Sequence, residues 1–167
     1  MSNSLIEKGY IEVEDILEDI NYPSKERFTK GPVAIIECMQ EIPCNPCKDA
    51  CPHGAIVLDG LVKRPQLIEE KCIGCGLCIA ACPGQSIFVV DKSKEVGSVT
   101  FPYEYLPIPE VGMEIIAVDR SGKEVCAASV IKVVDSKMMN KTRLVTIRVP
   151  VDKVDEVRFM KRLGAGE

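Results

Sequence analysis

The chain is short of the residues that carry out substrate chemistry. It holds a single histidine, His53, no serine or cysteine nucleophile beside a base, and no glycine loop of the kind that cradles phosphate. No substrate chemistry is therefore expected on this chain alone. Positive charge is also scarce: 21 Lys and Arg stand against 25 Asp and Glu, a formal net charge of −4. That argues against a nucleic-acid partner, whose binding rests on clustered cations against phosphate. The acidity serves solubility, or steers the chain toward a basic partner surface. No apolar stretch approaches the ~20 residues that a membrane-spanning helix needs. The opening, from Met1 to Lys8, soon turns acidic and lacks the apolar core of a secretory signal. A reducing cytoplasm is the expected location, and disulfides are not expected there.

Cysteine is what the chain has in quantity. Eight of its nine cysteines fall into two runs, Cys38/Cys44/Cys47/Cys51 followed by Pro52, and Cys72/Cys75/Cys78/Cys82 followed by Pro83. The second run has the spacing C-x2-C-x2-C-x3-C-P, which suits an iron-sulfur cluster and electron transfer. Three thiolates must converge on one cluster while backbone N–H groups turn toward the sulfides. Gly74 and Gly76 carry no Cβ, so this loop can take positive φ and lie close to the cluster. Cys82 falls one helical turn after Cys78, and Pro83 stops the turn so that its thiolate aims elsewhere.

An internal repeat points the same way. Cys44 through Leu58 lies over Cys75 through Val89 without a gap, matching three cysteines, the proline and the apolar run that follows. Each half reads as a cluster loop, a one-turn helix and a short strand, Ala55 to Leu58 and Ser86 to Val90. Units this small bury little core alone and need each other and their clusters.

Over residues 31–91 the chain resembles the bacterial-type two-cluster 4Fe-4S ferredoxins. The resemblance implies two 4Fe-4S clusters, one held by Cys38, Cys44, Cys47 and Cys82, the other by Cys72, Cys75, Cys78 and Cys51, with Gly74, Gly76, Pro52 and Pro83 shaping the sites. One departure stands out. The family places its first ligand three residues before Cys44, where this chain has Glu41, and the nearest upstream cysteine is Cys38, behind an insertion containing Pro43. Cys38 is a ligand on a bulged loop, or else the first site has three cysteines and Cys38 is a buried thiol. Structural zinc is the competing metal, since C-x2-C pairs recur in zinc ribbons, but zinc has no use for a third evenly spaced cysteine followed by C-P. Cys126, far from both runs, reads as a small core residue. His53 takes the place of an ordinary turn residue in the repeat, opposite Gly84, and reads as solvent-facing or bonded to backbone.

The expected fold is α+β: a ferredoxin-like dicluster domain with an N-terminal helical arm and a small C-terminal β-rich module. Residues 1–30 form the arm, 31–91 the dicluster domain, 92–112 a linker rich in proline and aromatics, and 113–167 the module. In the arm, Val13, Ile16, Leu17 and Ile20 have helical spacing over residues 10–20, ended before Pro23. Such a helix packs on the chain's own core or clamps another subunit. Val33 to Cys38 reads as a strand that delivers the first cysteine. In the linker, Phe101, Tyr103 and Tyr105, three of the chain's eight Phe and Tyr, form a strap between domains or part of a subunit interface. Beyond it, Met113–Asp119 and Glu124–Val134 flank a turn as a hairpin, Arg143–Val149 is a third strand, and Asp152–Val157 a short capped helix, together a small β-rich unit or partial barrel.

A free ferredoxin needs little beyond its cluster unit, so the flanks favour a fixed subunit over a free carrier. The stretch from Gly31 to Cys51, together with Phe101 to Pro107, is similar to the small iron-sulfur subunits of FAD-dependent amino-acid dehydrogenases of the proline, hydroxyproline or sarcosine type. That resemblance implies a flavoprotein dehydrogenase partner in a hetero-oligomer, which takes hydride from a substrate amine while this chain carries electrons away singly.

Overall fold

A computed structural model describes residues 3–164. The N-terminal region folds into three short helices, α1 (Asn3–Lys8), α2 (Val13–Leu17) and α3 (Lys25–Thr29). The single helix expected over 10–20 is cut to α2, and α1 and α3 are additional; residues 1 and 2 of the expected arm lie outside the described residues. The interruption is local, because Asp19 accepts the Asn21 backbone N–H in a tight turn and so competes with a continuing helix. Ile16 is fully buried, Val13 half-buried, and Leu17 and Ile20 are 46% and 73% exposed. The arm packs on the chain's own core through Ile11, Ile16 and Phe28. α3 starts at Ser24, whose Oγ accepts the Arg27 N–H as a cap.

After β1 (Val33–Ile36) come the two half-repeats. The first gives α4 (Pro46–Asp49) and β2 (Ile56–Val57), which pairs with β3 (Gln66–Leu67) in a small two-stranded sheet. The second gives α5 (Leu77–Ala81) and β4 (Ile87–Asp91), which pairs with β1. Strands β5 (Val96–Tyr103), β6 (Glu114–Val118), β7 (Glu124–Val134), β8 (Arg143–Pro150) and β9 (Phe159–Met160) complete an antiparallel sheet in the order β1-β4-β5-β8-β7-β6-β9. The sheet has two ends, β1 and β9, rather than closing as a barrel.

The stretch 92–112 supplies a central strand where a linker was expected. In β5, Val99 lies between Val90 of β4 and Ile147 of β8. The prolines misled because Pro102 lies beyond Thr100, where pairing to β4 ends, so its missing N–H costs the ladder nothing on that side. Phe101 and Tyr103 are fully buried and pack with Phe159 of β9, so these rings close the chain's own core. The hairpin β6–β7 forms as expected, with Asp119 accepting the N–H groups of Ser121 and Lys123 in its turn. The helix expected over 152–157 is a 3-10 turn, Val151–Lys153, followed by further turns. The Arg158 guanidinium takes the carbonyls of Val154 and Val157.

Both faces of β1 are buried, which explains its unbroken apolar run. Val33 and Ile35 join a core with Val90, Val99, Phe101 and Ile147, while Ala34 and Ile36 join a second core with Ile79, Ile87 and the buried Cys47 and Cys78. Complete burial of one such Ile or Val side chain stabilises by about 1.5–3 kcal/mol. One sheet therefore runs through the cluster region, the expected linker and the C-terminal strands. Its second core is the layer on which the cysteines sit.

Candidate metal centre

The repeat places its cysteines in equivalent ways. Cys47 lies within α4 and Cys78 within α5, each buried, and each helix ends just before a C-P pair. Cys82 is extended, with φ −77° and ψ 110°, as a residue before proline must be. Cys51 Sγ accepts the N–H of Ala55 at 3.3 Å, and Cys82 Sγ accepts that of Ser86 at 3.4 Å, the same contact in both halves. A third such bond runs from Ala34 N–H, in β1, to Cys72 Sγ at 3.4 Å. Donors aimed at sulfur favour thiolates.

The eight cysteines surround two separate cavities. One is walled by Cys51, Cys72, Cys75 and Cys78, with Gly74 and Gly76. The other is walled by Cys38, Cys44, Cys47 and Cys82, with Pro83 and Lys63. The thiols' electrostatics sort in the same way. Burial pushes the Cys78 thiol up to about 12, aided by Cys72, Cys75 and Cys51. Burial likewise pushes Cys47 up to about 11, aided by Cys82, Cys38 and Cys44. Cys38 is raised by burial and then by Cys82 and Cys44. Each quartet thus takes three thiols from one run and one from the other, and Cys38 stands within the first.

These walls fit an iron-sulfur cluster. Each offers four sulfur donors, the ligand set such clusters take. Among the described residues, no three His, Cys, Asp or Glu side chains converge closely enough for a single metal ion. Gly74 and Gly76 have φ of +68° and +83°. A Cβ on Gly74 would lie 2.7 Å from the Cβ and carbonyl oxygen of Pro32, so the loop passes against the backbone leading into β1. Gly74→Ala is expected to destabilise the loop by about 1–3 kcal/mol, through strain at positive φ and this clash. Iron release to a chelator should be faster than in the unaltered chain, and an unchanged rate would contradict the close approach. Pro52 and His53 are both exposed, and His53 but not Pro52 lines the cavity of Cys51. Cys126 lies in β7 opposite Ala117, half-buried and away from both quartets.

Several supporting residues carry no sequence signal. The Cys72 carbonyl accepts Arg27 Nη2 at 2.6 Å, and the Cys38 carbonyl accepts Arg64 Nε at 2.9 Å. Glu37, next to Cys38, is buried between Arg120 and Arg158: Arg120 Nε and Nη2 donate to its two oxygens at 2.9 and 2.6 Å, and Arg158 Nε donates at 2.5 Å. Burial alone would raise the Glu37 carboxyl, but the two guanidiniums hold it below the usual range. Beside this group a groove of ≈ 540 Å³ reaches Cys38, Cys44 and Cys82 from the surface. Isolated arginines and one glutamate have no recognisable spacing; only the folded sheet brings positions 37, 120 and 158 together.

Residues 37–86 match the family model for the 4Fe-4S dicluster domain. An uncharacterised ferredoxin of Methanocaldococcus jannaschii is 36% identical over 80 residues, 47% of this chain and 48% of the relative. The polyferredoxin-like subunit of an aliphatic sulfonate oxidoreductase from Pyrococcus furiosus is 46% identical over 48 residues, 29% of this chain and 27% of that one. One subunit of a Na+-translocating ferredoxin:NAD+ oxidoreductase complex from Acetobacterium woodii is 44% identical over 52 residues, 30% of this chain and 15% of that one. The match thus spans about half the length of the first relative and less of the others. No solved structure matches. No helix among the described residues is long and apolar enough to cross a membrane. The dicluster match decides for iron-sulfur over zinc: residues 37–86 are a 4Fe-4S dicluster domain, which holds two 4Fe-4S clusters and serves electron transfer.

Proposed function

We propose that this chain is the electron-transfer subunit of an oxidoreductase complex. Cys38, Cys44, Cys47 and Cys82 hold one cluster, and Cys51, Cys72, Cys75 and Cys78 the other. The observation that carries this assignment is the exchange of one cysteine between the two runs at the two cavities. When bound, each cluster supplies one-electron oxidation and reduction. The chain's part is to exclude water with its second core, to aim the N–H groups of Ala34, Ala55 and Ser86 at sulfur, and to hold the cysteine loops in place. Some thiols remain near the surface, Cys75 being exposed and Cys38, Cys44 and Cys82 lining the groove, so a partner can approach both sites closely.

Two observations support a subunit over a free carrier. The chain adds β5 to β9 and an N-terminal arm to the dicluster unit, and two relatives are by name subunits of oxidoreductases. A flavoprotein dehydrogenase acting on a substrate amine is the specific partner we propose, on the resemblance of Gly31–Cys51 and Phe101–Pro107 alone. The reducing cytoplasm belongs to the same proposal. Anaerobic purification of the native complex tests it: a flavin-containing chain is expected to co-purify in fixed ratio. A flavin-free monomer would replace the subunit reading with that of a free carrier, and a flavin-free complex would remove the dehydrogenase.

A further inference from the structure

Arg27 is an anomaly among the buried charges. It is 7% exposed, yet among the described residues it makes no ion pair. Its guanidinium instead donates to four neutral carbonyls: Nε to Glu69 at 2.9 Å, Nη1 to Gly31 at 3.1 Å, and Nη2 to Pro32 at 2.8 Å and Cys72 at 2.6 Å. The neighbouring Glu69 carboxylate is engaged elsewhere, accepting both the N–H and the Oγ–H of Ser24 at 2.7 Å. Burying a cation without a counter-charge costs several kcal/mol in general, so such groups persist where an anion faces them.

The contrast with Arg64 sharpens this. Arg64 binds the carbonyl of Cys38, as Arg27 binds that of Cys72, so each run has an arginine on the backbone of its first cysteine, one in each quartet. Arg64, however, is neutralised by Asp19 at 2.7 Å. At Arg27 no ion pair is made among the described residues, and the cysteine whose carbonyl it holds, Cys72, lines the cavity, so what fills that cavity can supply a counter-charge. Four thiolates around an iron-sulfur core carry net negative charge, and reduction adds one more electron to it.

We propose that Arg27 is the counter-charge of the cluster held by Cys51, Cys72, Cys75 and Cys78, and that it favours the reduced state of that cluster over the oxidised one. This rests on the ligand set proposed above, which Cys51→Ala tests independently through iron content. Arg27 is a positioning residue that acts across the Cys72 backbone.

The test is an EPR-monitored redox titration of the full chain, purified anaerobically. Arg27→Gln removes the charge. At a fixed potential it is expected to lower the reduced-to-oxidised ratio of that cluster by about tenfold, equal to about 59 mV for one electron, and to leave the other cluster unchanged. Arg27→Lys keeps the charge but not the four-carbonyl fork, and is expected to hold the ratio close to that of the unaltered chain. An unmoved ratio in Arg27→Gln, or an equal shift in both clusters, would overturn the proposal. If Arg27→Gln retains too little of the cluster to titrate, Arg27→Lys decides: a retained cluster at the unaltered ratio upholds the counter-charge, while its loss or a comparable fall in ratio refutes it.

Discussion

Cys51→Ala is expected to remove the cluster of Cys72, Cys75 and Cys78, although in the sequence Cys51 closes the other run. Iron should fall from about eight to about four per chain, because a cubane cluster deprived of one of its four thiolates is lost or degraded. The reason is geometric. α4 ends at Asp49, and Cys51, just beyond it before Pro52, lines the cavity of Cys72, Cys75 and Cys78 rather than that of Cys44 and Cys47. A double substitution separates the exchange from a run-by-run assignment. Cys51→Ala with Cys75→Ala should leave about four irons, no fewer than either single change, since both residues serve one site. Cys51→Ala with Cys44→Ala should leave almost none. Reversal of these two results would mean that each run keeps its own cluster. Cys38→Ala belongs in the same series: its place among Cys44, Cys47 and Cys82 leads to loss of that cluster alone, and retention of both would remove Cys38 from the ligands.

The second large effect is expected at Glu37. Its carboxylate joins three parts of the chain that are far apart in sequence: the end of β1 beside Cys38, Arg120 in the β6–β7 turn, and Arg158 just before β9. Glu37 and Arg158 are 8% and 2% exposed, so solvent screens this group little. Glu37→Gln leaves two buried guanidiniums without their carboxylate and should cost about 3–5 kcal/mol, the usual penalty for breaking a buried ion pair from one side. Anaerobic denaturant unfolding measures it, and a loss below about 1 kcal/mol, typical of an exposed pair, would show that the group does not latch the sheet to the cluster loop. The pH dependence carries a matching sign. Because the folded carboxyl is held below its ordinary value of 4.5, its contribution is fully present above that value and is lost as pH falls through the folded value. The unaltered chain should therefore lose stability on acidification more steeply than Glu37→Gln.

What could be read in the sequence follows from what is local. The second run is a motif within eleven residues, and its repeat transfers to Cys44, Cys47 and Cys51, so the cysteines and the α4 and α5 turns were legible. The hairpin β6–β7 and strand β8 announced themselves by β-branched runs around a glycine turn. Spacing leaves Cys38 open, because the bulge containing Pro43 hides its distance from Cys44; its proposed ligation rests on its lining one cavity with Cys44, Cys47 and Cys82. Strand β5 was hidden by Pro102, which looks like a break until the end of the β4 pairing is known. Arg27, Arg64 and the Glu37 group were invisible for a different reason. Their partners are backbone carbonyls or side chains up to 121 positions away, so nothing in their own sequence neighbourhood marks them.

The most direct test of the central claim is the iron and acid-labile sulfide content of the full chain, purified without oxygen, with its EPR spectrum after reduction by dithionite. The expected result is about eight iron and about eight sulfide per chain, in a brown protein that bleaches on reduction and shows two cluster signals. About four iron per chain, or bound zinc in a colourless protein, would contradict two clusters on two interchanged cysteine quartets.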